Sequence, residues 1–112
     1  MAVLKFKETI AKHVKEGVER KLIHLNDLML VVIDFSGGPW TAPEPQHQHV
    51  HEQITYVADG EIIFFCEDEP EQHLVAGDMF SVPSNKKHGI QLISETARLI
   101  DSFNPLRQEF LS

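Results

Sequence analysis

The stretch His47-Gln48-His49-Val50-His51-Glu52-Gln53 and its continuation Ile54-Thr55-Tyr56-Val57-Ala58-Asp59-Gly60 hold the strongest structural signal in this 112-residue chain. Three histidines alternate in it, and it ends on Asp-Gly, a pair that favours tight turns because both residues tolerate left-handed backbone. The chain is therefore expected to run extended from His47 to Ala58 and to reverse in a hairpin at Asp59-Gly60. In a strand, residues two apart share a face, with Cα atoms roughly 6.6–6.8 Å apart. His47 and His49 can then reach one ion. Strict alternation would add His51, whereas a bend after His49 would swing His51 to the rim and turn Gln53 inward, where its amide oxygen could serve as a ligand. The second arrangement is favoured.

Outward from this stretch, short apolar runs alternate with turn residues. Arg20 to Leu25 and Leu28 to Phe35 flank Asn26-Asp27 and read as a hairpin. Ser36 to Pro45 holds Gly37, Gly38, Pro39, Pro43 and Pro45 and reads as a loop. Beyond Gly60, short strands are expected over Glu61 to Glu67, Gln72 to Val75, Met79 to Val82, Lys87 to Ile93 and Ala97 to Phe103. Only Phe6 to Glu19 departs from this pattern. Ile10, Val14 and Val18 fall on one helical face and predict about two turns of helix, interrupted by Gly17. The spacing of the remaining segments points to an all-β sandwich or barrel.

Composition narrows the function classes. Apolar residues make up 42% of the chain and charged residues 24%, the balance of one globular core rather than a disordered or fibrous chain. Acidic residues outnumber basic ones 17 to 10, a net charge of −7, which argues against nucleic acid or an anionic membrane surface as partner. Cys66 is alone, so no internal disulfide is available; next to Phe64 and Phe65 it reads as a buried apolar side chain. The charged N-terminal residues Lys5, Lys7 and Glu8 and the absence of a long apolar run lead to the expectation of a soluble, cytoplasmic protein.

Two more residues stand out by strand parity. His88 shares a face with Ile90 and Leu92, and Asp101 shares one with Leu99 and Phe103. A lone imidazole or carboxylate on an apolar face requires a partner or a task. For His88 the task would be to join His47 and His49 on a divalent transition metal (Ni, Zn, Mn, Fe, Co or Cu). Asp101 could be functional, or a structural carboxylate paired with Arg98 or Arg107. Trp40 could cover a pocket mouth or anchor its loop. His13, His24 and His73 read as ordinary surface residues.

These residues resemble a known family. His47-x-His49, with Gln53 four residues on and Gly60 seven after that, resembles the first cupin motif. Gly77-Asp78, Pro83 and His88 resemble the second. Three positions depart from the usual pattern: Asn85 stands in place of Gly, Leu92 in place of Asn, and Gln53 in place of Glu. Asn tolerates a left-handed turn, so the first is a mild change. The strings Gly17-Val-Glu-Arg-Lys-Leu22 and Asp101-Ser-Phe-Asn-Pro-Leu-Arg-Gln-Glu-Phe-Leu111 are similar to KdgF-type cupins of pectin and alginate breakdown.

The resemblance implies a double-stranded β-helix, the jelly-roll barrel, over about residues 20–104. Segments 1–19 and 105–112 would pack on it within a single domain, 1–112. It implies metal ligands His47, His49, Gln53 and His88 and a catalytic region of Asp101, Phe103 and Arg107. It also implies a small-molecule sugar acid as substrate: a cyclic 4,5-unsaturated uronate opened to its linear keto form. Asp101 would shuttle protons, Arg107 would fork onto the carboxylate, Phe103 would pack on a sugar face, and the metal would orient the sugar oxygens. A metal-dependent dioxygenase and a non-catalytic sugar-binding or sensory cupin are the alternatives. Ile62, Ile63, Phe64 and Phe65 are apolar on both parities, so both faces of that strand should be covered, and a homodimer is expected.

Overall fold

The computed structural model describes residues 2–111. Nine strands are present among them: β1 (Lys12–Lys15), β2 (Val18–His24), β3 (Met29–Phe35), β4 (Glu52–Asp59), β5 (Glu61–Cys66), β6 (Gln72–Val75), β7 (Met79–Val82), β8 (His88–Leu92) and β9 (Ala97–Asn104). Alternating burial in β4, β5 and β9 follows from one apolar residue in two, which gives each strand one face for the interior and one for solvent. Two sheets result, in the orders β1-β2-β3-β9-β4-β7 and β6-β5-β8. Their facing sides close into an all-β jelly-roll barrel around Val57, Ile62, Phe64, Val82, Leu92 and Leu99. A second cluster at one end packs Met29, Val31, Phe103 and Leu106.

The Asn26-Asp27 hairpin forms as expected: β2 and β3 pair antiparallel from Val18↔Phe35 to His24↔Met29. The expected helix does not. Phe6–Glu8 is a 3-10 turn, and the rest of the segment reverses at Glu16-Gly17 to pair β1 with β2. Ile10 is 93% exposed, so the helical periodicity that included it has nothing to pack against, and strand pairing prevails.

Asp59-Gly60 turns the chain but makes no hairpin. β4 pairs with β7 and β9, while β5 lies in the other sheet between β6 and β8. The turn is a barrel corner. Gly60 has φ +88°, and a Cβ there would stand 2.4 Å from the Thr96 carbonyl oxygen and 2.6 Å from Ala97 Cβ, so the residue passes directly against the start of β9.

Outside the barrel, Ile63 and Phe65 of β5 are half-covered, with Ile62 and Phe64 inside. On the outer face of the six-stranded sheet, Leu30, Ile54, Tyr56 and Met79 remain exposed. No helix among the described residues is long and apolar enough to cross a membrane.

Candidate metal centre

The extended run expected from His47 is broken. His47 makes a single antiparallel bridge, Val50 and His51 form a bend, and β4 begins only at Glu52. That bend decides which side chains enter the barrel. Gln53 is 7% exposed and points inward with Thr55 and Val57, and His51 lies at the edge. The bridge partner of His47 is His88, and the two exchange backbone hydrogen bonds of 2.9 Å in both directions. Residues 41 positions apart are thereby held side by side.

Asn85 has φ +64° and donates its N–H to the His49 carbonyl at 2.8 Å. The turn after Pro83 thus uses the left-handed tolerance of Asn to hang the second histidine segment on the first. Imidazole centroids lie 4.3 Å apart for His47 and His88, 4.8 Å for His49 and His88, and 5.7 Å for His47 and His49. One ring nitrogen from each of the three converges within 4.8 Å of the others, so the three imidazoles can hold a metal ion.

Tautomers make the fit specific. His49 Nδ1 lies 2.8 Å from the His51 carbonyl and His88 Nδ1 lies 2.9 Å from the Lys86 carbonyl. A carbonyl only accepts, so both Nδ1 atoms hold the proton and both Nε2 atoms present lone pairs. His88 Nε2 is buried with no hydrogen-bond partner. His49 Nε2 faces Gln53 Oε1 at 3.2 Å, and the Gln53 amide nitrogen is turned away to donate to Thr55 Oγ1 at 2.9 Å. Two acceptors face each other across a gap that a cation would fill. Burial first, then the neighbouring imidazoles and Arg107, lowers the His47 pKa to about 4. Burial likewise lowers His49 and His88, so the cluster is neutral and ready to coordinate at neutral pH.

Asp101 lies beside this cluster, 5% exposed on the inward face of β9. Neither arginine considered from the sequence forms a hydrogen bond with it. Arg98 pairs with Asp34 on the outer face at 2.7 and 3.1 Å, and Arg107 donates to the Glu109 carboxylate at 3.5 Å. Thr55 is its partner instead, donating Oγ1–H to Asp101 Oδ1 at 2.6 Å. Burial raises the Asp101 pKa to about 6, against the opposing pull of the Thr55 hydrogen bond and the charge of Arg107.

Asp101, Phe103 and Arg107 line one cavity of about 220 Å³ with His47, His88 and Gln53. That is below the roughly 300–1,000 Å³ of sites for drug-sized ligands and suits a single sugar unit. The Phe103 ring also meets His49 edge-on at 5.8 Å.

Sequence reading passed over three side chains of this cavity's surroundings. Thr55 shares the inward parity of Gln53 and could have been found by it. Arg20 shares the inward parity of Val18 and Leu22. Glu44 comes from the Gly/Pro loop and lines the cavity, its carboxyl raised by burial, and no periodicity announces it. Trp40 does not line the cavity. It anchors the loop, with its N–H on the Leu92 carbonyl, its carbonyl on Gln91 and its ring edge-on to Phe35. Cys66 is buried in the core, as expected.

Residues 32–103, well over half of the chain, match the family model of the cupin domain. The chain belongs to the cupin family. This cupin is 37% identical over 106 residues to the pectin degradation protein KdgF of Dickeya dadantii (strain 3937), covering 93% of each chain. KdgF from Halomonas sp. matches with a TM-score of 0.87 at 32% identity, over 97% of this cupin and 99% of that chain. An RmlC-like cupin from Shewanella frigidimarina NCIMB 400 matches with a TM-score of 0.82 at 33% identity, over 93% of this cupin and 90% of that chain. The resemblance of the Gly17–Leu22 and Asp101–Leu111 strings to KdgF-type cupins thus extends over nearly the whole length.

Proposed function

We propose that this cupin opens the ring of cyclic 4,5-unsaturated uronate monosaccharides and delivers the linear keto form. The observation that carries the reading is the Asp101 carboxyl, buried beside the histidine cluster with its pKa raised to about 6. Likeness to the pectin degradation protein KdgF supports it. His47, His49, Gln53 and His88 would hold one divalent transition metal, which when bound supplies a Lewis acid for the sugar oxygens.

Ring opening is an isomerisation and needs no net proton. The anomeric hydroxyl loses one as the hemiacetal C–O bond breaks and releases an enolate, and C4 of that enolate gains one as the ketone forms. Asp101 can take the first proton and return it to C4, since a carboxyl near pKa 6 is mostly ionised at neutral pH yet still a competent acid. Arg107 orients the substrate carboxylate, and Phe103 offers an apolar wall to the sugar. The uncatalysed opening already proceeds in water, so a barrier reduction of about 3–6 kcal/mol, or roughly 10²–10⁴ in rate, is sufficient.

The test mixes metal-loaded protein with freshly generated unsaturated galacturonate and follows loss of the conjugated double bond in the ultraviolet, with and without oxygen. Acceleration by wild type in both conditions, absent in Asp101→Asn, is the expected result. Turnover that requires oxygen would replace the reading with a dioxygenase. Saturable binding without conversion would replace it with a sugar-binding or sensory cupin.

We also propose that the protein is a homodimer, through the exposed Leu30, Ile54, Tyr56 and Met79 on the outer face of the six-stranded sheet rather than through β5. Sedimentation should give a dimer for wild type and a monomer for Ile54→Lys with Tyr56→Lys; a monomeric wild type would overturn it.

A further inference from the structure

β2 sends Val18 and Arg20 to the cavity that holds Asp101. An arginine on the inward side of a barrel strand, among Ile33, Phe35 and Leu99, needs a reason to be there. Among the described residues it forms no ion pair. The Arg20 guanidinium lies over the Phe110 ring at 3.9 Å from its centroid, and that of Arg107 lies over the same ring at 4.3 Å. The Nε of each is buried and has no hydrogen-bond partner. Burial first, then the charge of Arg107, makes the charged form of Arg20 less favourable, against the opposing pull of Glu109. Two guanidinium groups, each with an unmet Nε–H, therefore share one aromatic ring, and the carboxylate beside them, Glu109, lies 3.5 Å from Arg107 and makes no ion pair with Arg20, in a chain with only 10 basic residues against 17 acidic ones. Such an arrangement is unfavourable alone and favourable around an anion.

We propose that Arg20 is a second substrate-binding arginine. With Arg107 it clamps the carboxylate of the sugar acid, so that the site distinguishes uronates from neutral sugars. The proposed function supplies the identity of the sugar; the two unpartnered Nε–H donors supply the anion preference. Phe110 contacts both guanidinium groups, and His47, His88 and Asp101 line the same cavity, available to the ring-opening end of the molecule.

The test uses metal-loaded protein and two unreactive probes, galacturonate and its neutral methyl ester, titrated by calorimetry, together with the ultraviolet assay on the unsaturated uronate. Wild type should bind the acid at least about tenfold more tightly than the ester. Arg20→Met should weaken the acid roughly 10- to 100-fold and the ester less than about twofold, and should raise KM by a similar factor with kcat changed less than about threefold. Arg20→Lys should lie between, and it keeps the test alive if Arg20→Met fails to fold. Equal weakening of acid and ester would mean that Arg20 only supports Phe110, and unchanged acid binding would mean that it has no role in binding; either overturns the inference. If wild type prefers the acid but turns over no unsaturated uronate, the anion clamp stands and the ring-opening reading fails. If wild type turns over the uronate but Arg20→Met keeps its KM, the reverse holds.

Discussion

Burial holds the Asp101 carboxyl near pKa 6 instead of its ordinary 3.8, so folding favours the protonated form. Well below pH 3.8 both folded and unfolded chains are protonated there, and the residue costs nothing. As pH rises through 6 the unfolded chain ionises first, and the folded state loses up to about 3 kcal/mol. Asp101→Asn keeps an acceptor for Thr55 and removes that penalty. Urea unfolding of the metal-free proteins should therefore show nearly equal stability at about pH 3 and a more stable variant at pH 7.5, while the proposed ring-opening activity falls roughly 10²-fold or more. A variant less stable at pH 7.5 would contradict the assignment. Thr55 acts through two others: its hydroxyl accepts from the Gln53 amide and donates to Asp101, which fixes Gln53 Oε1 toward the histidines. Thr55→Val should weaken metal binding roughly 10- to 100-fold, with Thr55→Ser close to wild type, as measured by metal titration. Alternation alone could mark Gln53, Thr55 and Asp101 as inward. It could not say which inward groups touch, because β4 and β9 are 48 residues apart at Gln53 and Asp101 and their register is a tertiary fact.

At the scale of elements, periodicity identified the strands and misjudged two connections. Phe6 to Glu19 has helical spacing, but Ile10 finds no surface to cover while Val18 enters the core as the first residue of β2, and pairing of β1 with β2 uses the backbone better. Asp59-Gly60 is a favourable turn in any context, yet whether its flanking strands pair with each other depends on competing partners; β9 and β7 take β4, and β8 and β6 take β5. The corner makes a test. Gly60→Ala must accept both φ +88° and a Cβ 2.4 Å from the Thr96 carbonyl, whereas Gly77→Ala, at φ +99°, has nothing within 4 Å. Gly77→Ala should cost about 1–2 kcal/mol from backbone strain alone. Gly60→Ala should cost about 1–3 kcal/mol more from overpacking, read as a lower urea midpoint with unchanged slope.

At the scale of the molecule, the histidine cluster joins the two sheets. His47 and His49 precede β4 of the six-stranded sheet, and His88 opens β8 of the other, so an ion held by all three adds to the His47–His88 backbone bridge in tying the two sheets together. Unfolding must then release the ion. At a free metal concentration 100 times the dissociation constant the folded state gains about 2.7 kcal/mol, which for a domain of this size corresponds to a Tm rise of about 10 °C or more. His88→Ala should abolish that rise, since it removes the one ligand contributed by the smaller sheet. The pH dependence has a definite sign. Protons compete with metal only for imidazoles that the folded protein protonates, and burial lowers all three, His47 to about 4. The metal-induced Tm rise should therefore persist to lower pH than ligation by free histidine would allow, and disappear as pH falls toward 4. Disappearance already between pH 7 and 6, in a thermal unfolding series with matched metal-free controls, would mean that the three imidazoles are solvated like free histidine and do not form a buried cluster around the ion.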